Sequence, residues 1–176
     1  MDEGGKKVFI NCLEVGRVIL KCSEFSVIAS DIKKKNTRIV MFGTGVIGQM
    51  IAPHIFVEYG LLPYVDCYID NNSDLWGCKV EVCGYEIEVR SPEYLKNCNS
   101  DTVIMLNISR FSNVLDQLMT MRCTVNMECY IFPMLCVHNY CLEASKGEAK
   151  RSSTPLIPKK IHYMWLGRKP DRKSVV

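Results

Sequence analysis

Apolar residues in this chain fall into short unbroken runs that alternate with helically spaced stretches. Residues 38–42, Arg-Ile-Val-Met-Phe, form one such run, and it ends at Gly43. An apolar run of this kind suits a strand buried on both faces. Residues 46–59 follow, with Ile47, Met50, Ile51, His54, Ile55 and Glu58 marking successive helical turns. Pro53 sits inside that stretch, and its missing N–H predicts a kink. Gly60 suits the end of the helix.

A second strand is predicted over residues 64–69, ending at Asp70, with turn chemistry in Asn71-Asn72-Ser73-Asp74. Residues 79–82 and 85–89 alternate around Gly84, as a small hairpin or two short extended pieces. Ser91-Pro92-Glu93 opens a short helix, with serine as cap and proline in first position. Residues 102–106 read as a third core strand and 110–121 as a helix with Phe111, Val114, Leu115 and Leu118 on one face. Residues 129–132 read as a final strand. Ahead of all this, Val8-Phe9-Ile10 and Val18-Ile19-Leu20 suit strand or helix. Residues 23–35 suit a helix capped by Ser23, with Phe25, Ile28 and Ile32 at its period. Lys33, Lys34 and Lys35 complement the negative end of that helix.

This order implies an α/β domain: a Rossmann-like, mainly parallel sheet with helices on both faces and right-handed crossovers. Residues 1–35 would be a helical lead-in, 36–135 the Rossmann-like domain and 136–156 a polar linker. Residues 157–170 would hold the first strand of a second, incomplete domain.

Composition changes this picture little. A chain of 176 residues, 48% hydrophobic and 23% charged, can fold one domain with a sizeable core. Charge is uneven. Residues 146–173 hold nine Lys/Arg against two acidic residues, or +7, and the remainder holds 13 against 17, or −4, which together give the net +3. That tail reads as a solvated linker rather than a nucleic-acid surface, because aromatic residues enter only at Tyr163 and Trp165. The ten cysteines include no Cys-x-x-Cys pair, and Cys12, Cys67 and Cys129 lie in apolar runs, where free cysteine packs as a small hydrophobe. A polar start without a signal-like apolar stretch, and no run of about 18 apolar residues, suggest a cytoplasmic protein with reduced thiols and no membrane span.

The candidate chemistry is Gly43-Thr44-Gly45-Val46-Ile47-Gly48. Gly-x-Gly-x-x-Gly alone is weak, but here a strand precedes it, a helix follows, and Asp70 lies 22 residues after Gly48 at the next strand's end. Gly43 would allow the turn, Gly45 the approach of a pyrophosphate, and Gly48 the packing of helix on sheet. The helix N-terminus would offer N–H groups to phosphate. Asp70 could accept ribose hydroxyls or simply belong to the Asp-Asn-Asn turn. Asn107 sits at the same sheet edge and suits a ligand contact or an ordinary loop. His54, mid-helix, suits packing better than catalysis, and His138 has no recognisable partner.

A catalytic set is missing from the sequence. No tyrosine has lysine four residues on, and there is no Gly-x-Ser-x-Gly elbow or phosphate-binding Gly-x-x-x-x-Gly-Lys-Ser/Thr loop.

Residues 38–48, 65–71, 77–85 and 91–95 together resemble a Rossmann-like domain at the front of bacterial polysaccharide-biosynthesis proteins. The resemblance implies that the first loop approaches a nucleotide or nucleotide-sugar; NAD is an alternative ligand. The segment 157–167, Ile-Pro-Lys-Lys-Ile-His-Tyr-Met-Trp-Leu-Gly, is similar to the opening strand of Asp-x-Asp-containing, sugar-binding-region glycosyltransferases of GT-A type. That resemblance implies His162 and Trp165 near a nucleotide-sugar donor, with Mn²⁺ or Mg²⁺ held by later carboxylates. The chain contains no Asp-x-Asp, and residues 171–176 resemble a translated sequencing adapter. The reading that follows is a fragment of a capsular or surface-polysaccharide glycosyltransferase, inactive alone and peripherally associated with polysaccharide assembly machinery. The alternatives are a non-catalytic NAD(H)- or nucleotide-binding regulatory module and an NAD-dependent sugar-nucleotide oxidoreductase fragment.

Overall fold

A computed structural model describes residues 14–15, 18–99, 101–124 and 126–148. At its centre is strand β3 (Arg38–Phe42), whose last four residues are at most 1% exposed. It pairs in parallel with β4 (Val65–Ile69) on one side and β7 (Thr102–Leu106) on the other. Strand β8 (Glu128–Ile131) extends the sheet beyond β7, and β2 (Val18–Lys21) pairs in parallel beyond it. On the other side β6 (Tyr85–Arg90) runs parallel to β4 at Tyr68 and Ile69. Its antiparallel partner β5 (Lys79–Val82) and the short β1 (Glu14–Val15) form the two edges. The order of the eight strands is β1-β2-β8-β7-β3-β4-β6-β5.

Alternation along each strand builds two cores. Ile39, Met41, Tyr68, Val103, Met105 and Tyr130 face one side. Against them pack helices α1 (Phe25–Lys35), α2 (Ala52–Glu58) and α4 (Phe132–Glu148). Val40, Phe42, Cys67, Ile69, Ile104, Leu106 and Cys129 face the other. Helix α3 (Ser112–Thr120) and the turn Pro92–Asn97 cover that side. Helices on both faces of a mainly parallel sheet confirm the expected architecture. Each such fully buried side chain contributes about 1.5–3 kcal/mol of burial free energy.

Several local expectations change for identifiable reasons. Pro53 does not kink a regular helix; it sits at the start of α2, behind a wide π-type turn at Ile47–Ile51. Pro53 has no N–H to return to Gln49, and the chain instead closes Ala52 N–H on Ile47 O, five residues back. Ser23 does not cap α1. Glu24 holds the cap position, and Asn139 from α4 accepts the Phe25 N–H at 2.9 Å through Oδ1. The lead-in is only partly helical, since Val18–Lys21 is a sheet strand. Part of the expected linker is also helical: α4 runs from Phe132 to Glu148. Its period was obscured because Leu135 is buried while Met134, Val137 and Tyr140 face outward. The hairpin turns tightly on Cys83 and Gly84, both in the left-handed region, which suits a two-residue loop. His54 is exposed rather than packed. The nine described cysteines are all free, and burial holds the thiol of Cys67 at about 12. Among the described residues no helix is long and apolar enough to cross a membrane.

Candidate functional site

From the central strand the chain runs outward through β4 and β6, then crosses back to β7 and β8 on the opposite side. The reversal lies between β3 and β7. In open α/β sheets the crevice at the carboxyl ends of the strands flanking such a point is where ligands bind. Gly43 leaves β3 there. Its N–H donates to Ile69 O of β4 at 2.8 Å, and Asn107 N–H donates to Phe42 O at 2.8 Å. Three adjacent strand ends thus bring together the glycine loop, Asp70 and Asn107.

The three glycines of the loop differ in what they answer to. Gly43 has φ +102°, and a Cβ there would lie 2.6 Å from Ile108 Cγ1. Gly48 is tighter: a Cβ would stand 2.1 Å from the backbone oxygen of Gly43, which cannot yield. The Tyr68 hydroxyl donates to Gly48 O at 2.6 Å, fixing the same contact from the sheet side. Gly45 has no such reason. A Cβ would meet nothing within 4 Å, and its φ lies outside the left-handed range that favours glycine. Of Gly43, Gly45, Gly48, Gly60, Gly77 and Gly84, it alone is demanded neither by packing nor by conformation.

Asp70 is a strut of the loop. Its Oδ2 accepts from the Thr44 N–H at 2.9 Å and the Thr44 hydroxyl at 2.7 Å, while Oδ1 accepts from the Asn72 N–H at 2.9 Å. Partial burial opposes its charge, but donors from Asn72, Thr44 and Asn71 outweigh it and hold the carboxyl below its ordinary value. A carboxylate offers about four acceptor positions, so little capacity is left over. Gln49 donates to Thr44 O and closes the other side of the loop. Val46 is exposed, and Ile47 packs against the core. The Trp76 indole donates to Asp70 O at 2.8 Å and shapes the loop beyond β4.

Asn107 is 2% exposed, and neither its Nδ2 nor its Oδ1 has a hydrogen-bond partner among the described residues. Leaving a buried polar group unpaired costs on the order of 1–3 kcal/mol. Continued alternation along β7 puts it on the face of Val103 and Met105, which also carries α2.

The sequence alone does not mark Gln49, Tyr68 or Ile108 as site residues. Tyr68 had a signal: a tyrosine in a buried apolar run needs a partner for its hydroxyl. Gln49 and Ile108 had none. His162 and Trp165, with the whole segment 157–176, lie outside the described residues. Among the described residues no group of three His, Cys, Asp or Glu could hold a metal ion.

Two described cavities lie elsewhere. One of about 270 Å³ opens at the amino edge among Asn36, Arg38, Pro63, Tyr64 and Asp66. Another of about 180 Å³ lies among Lys21, Cys22, Ser23, Asp31 and Tyr130. Neither touches the glycine loop.

No family model matches the chain. No curated protein matches it. Similar solved structures include RSP in complex with β-NADH, with a TM-score of 0.40 at 17% identity over 69% of this chain and 68% of that one. They also include RSP itself, a Rex-family repressor, with a TM-score of 0.38 at 17% identity over 69% and 66%.

Proposed function

We propose that the described domain is a nucleotide-binding module without a catalytic set of its own. The observation that carries this is Gly45. Among the described residues nothing requires a glycine there, so the room it leaves serves a ligand, at the position where a diphosphate would lie. The N–H groups of Val46, Ile47 and Gly48 begin the continuous helical segment 47–58 and face phosphate with the positive end of its dipole. Gly43 and Gly48 set the turn and the helix packing. Asp70 holds Thr44 in place, its acceptor positions taken up by Thr44, Asn72 and Asn71.

NAD(H) and nucleotide-sugars both carry the required diphosphate. The non-catalytic reading is preferred because the hydroxyl and carboxylate beside the loop, Thr44 and Asp70, are bonded to each other as bracing, and no tyrosine has a lysine four residues on. The glycosyltransferase reading rests on residues 157–167, outside the described residues, and no feature of the described domain favours it. A thermal-shift panel of ADP, NAD⁺, NADH, UDP and UDP-glucose tests the proposal. At least one of these is expected to raise the melting temperature of the full chain. The same ligand is expected to leave Gly45→Arg unmoved, because the arginine side chain fills the phosphate position. Equal shifts in both proteins would remove the glycine loop as the site.

A further inference from the structure

Among the described residues, only Asn107 has buried side-chain polar atoms with no partner, and it has them at both ends of its amide. It is also not part of the glycine motif. It stands on the next strand, beside the turn, where its own backbone oxygen would lie 3.4 Å from a Cβ on Gly43. Asp70, Gly43 and Asn107 follow three neighbouring strand ends in that order. Strands stand about 4.8 Å apart, so Asp70 and Asn107 flank the loop at a separation of roughly 10 Å.

We infer that Asn107 receives the second half of a two-sided ligand: a nucleoside diphosphate whose distal phosphate carries a further polyhydroxylated group. This rests on the nucleotide-binding reading above. An amide offers two donors and one acceptor. A vicinal diol offers a donor and an acceptor on adjacent oxygens and matches it as a pair. A plain nucleoside diphosphate ends in phosphate oxygens, which when ionised only accept and leave Oδ1 unpaired. A site with a buried polar group discriminates strongly against ligands that leave it unpaired. Both amide atoms are closed to solvent, so entry of the ligand shifts the loop 107–111, whose Ile108 packs on Gly43. Dinucleotides and nucleotide-sugars share this chemistry, and the choice of base and sugar separates them.

Calorimetry on the full chain tests this with ADP, ADP-ribose, NADH, UDP and UDP-glucose, using wild type and Asn107→Leu. Leucine keeps the volume and removes both polar atoms. In the wild type at least one extended ligand is expected to bind about tenfold or more tightly than its parent diphosphate. An advantage for ADP-ribose and NADH marks a dinucleotide site; an advantage for UDP-glucose marks a sugar-nucleotide site. Asn107→Leu is expected to erase the advantage. It is also expected to melt about 2–4 °C higher without ligand, because the unpaired amide is gone. If diphosphates bind and no extended ligand gains, the inference fails while the nucleotide reading stands. The same holds if Asn107→Leu keeps the full preference. If no diphosphate binds the wild type, both fail. The wild-type affinity ratio decides the matter even if the variant does not fold.

Discussion

At the amino edge of the sheet, Arg38 lies 3.7 Å from Asp66 and 3.6 Å from Asp101, and Tyr94 donates to Asp66 at 2.6 Å. Arg90, at the carboxyl end of β6 beside Ile69, reaches its guanidinium over the Tyr94 ring at 4.4 Å and pairs with Glu88. Every charged group there has a partner within the chain, although the larger described cavity opens beside them. At the carboxyl edge the polar inventory is left open: Asn107 is buried without a partner and Gly45 faces empty space. A concavity whose polar groups are already paired has nothing left to recognise a ligand with. The feature at the other edge has unmet valence, and that difference separates scaffold from site.

The sharpest way to break the comparison is within the glycine loop itself. Gly48→Ala is expected to lose about 3 kcal/mol or more, because its methyl would stand 2.1 Å from an immovable backbone oxygen. A urea titration that places its midpoint at the wild-type value would contradict the close packing of Gly48 on Gly43. Gly43→Ala should cost about 1–3 kcal/mol from its left-handed backbone and the contact with Ile108. Adding Ile108→Ala should recover the steric part and leave the conformational part, a coupling that a double-mutant cycle reads directly.

Asp70→Asn comes next, at about 1 kcal/mol, since the amide keeps one acceptor and loses the charge that Thr44 and Asn72 stabilise. The pH dependence has a definite sign. Asp70 is held below its ordinary value, so its contribution is complete above about pH 3.9 and fades as pH falls through the lowered folded value. Acid titration of Asp70→Asn should show a shallower loss of stability in that window than the wild type; an identical slope would deny the carboxylate its bracing role. Smallest of all is the amino edge. Asp66→Asn removes partners that are partly solvated and should cost about 0–1 kcal/mol. Nucleotide affinity should not move, and a drop in affinity would relocate the site.

The sheet was legible because residues 39–42 and 103–106 are unbroken apolar runs and 65–69 is interrupted only by Asp66. The loop was legible because its glycines stand at fixed offsets between strand and helix. Helix α4 was not, since its outward Val137 and Tyr140 erase the amphipathic contrast that marks a surface helix. The π-type turn before Pro53 is also invisible in composition, because one residue's missing N–H is absorbed by several neighbours. Asn107 could be placed at the sheet edge from the sequence. That its amide lacks a partner is a property of the packing around it and needs three dimensions. The bracing of Thr44 by Asp70 spans two strands and likewise has no sequence period to announce it.

The most direct measurement is amide NMR of the full chain titrated with ADP, in parallel for wild type and Gly45→Arg. Saturable shifts centred on Gly45, Val46, Ile47 and Gly48 are expected in the wild type. Gly45→Arg should stay folded and show none. Shifts that cluster at the amino edge instead, or that persist in Gly45→Arg, would contradict a diphosphate site on the glycine loop.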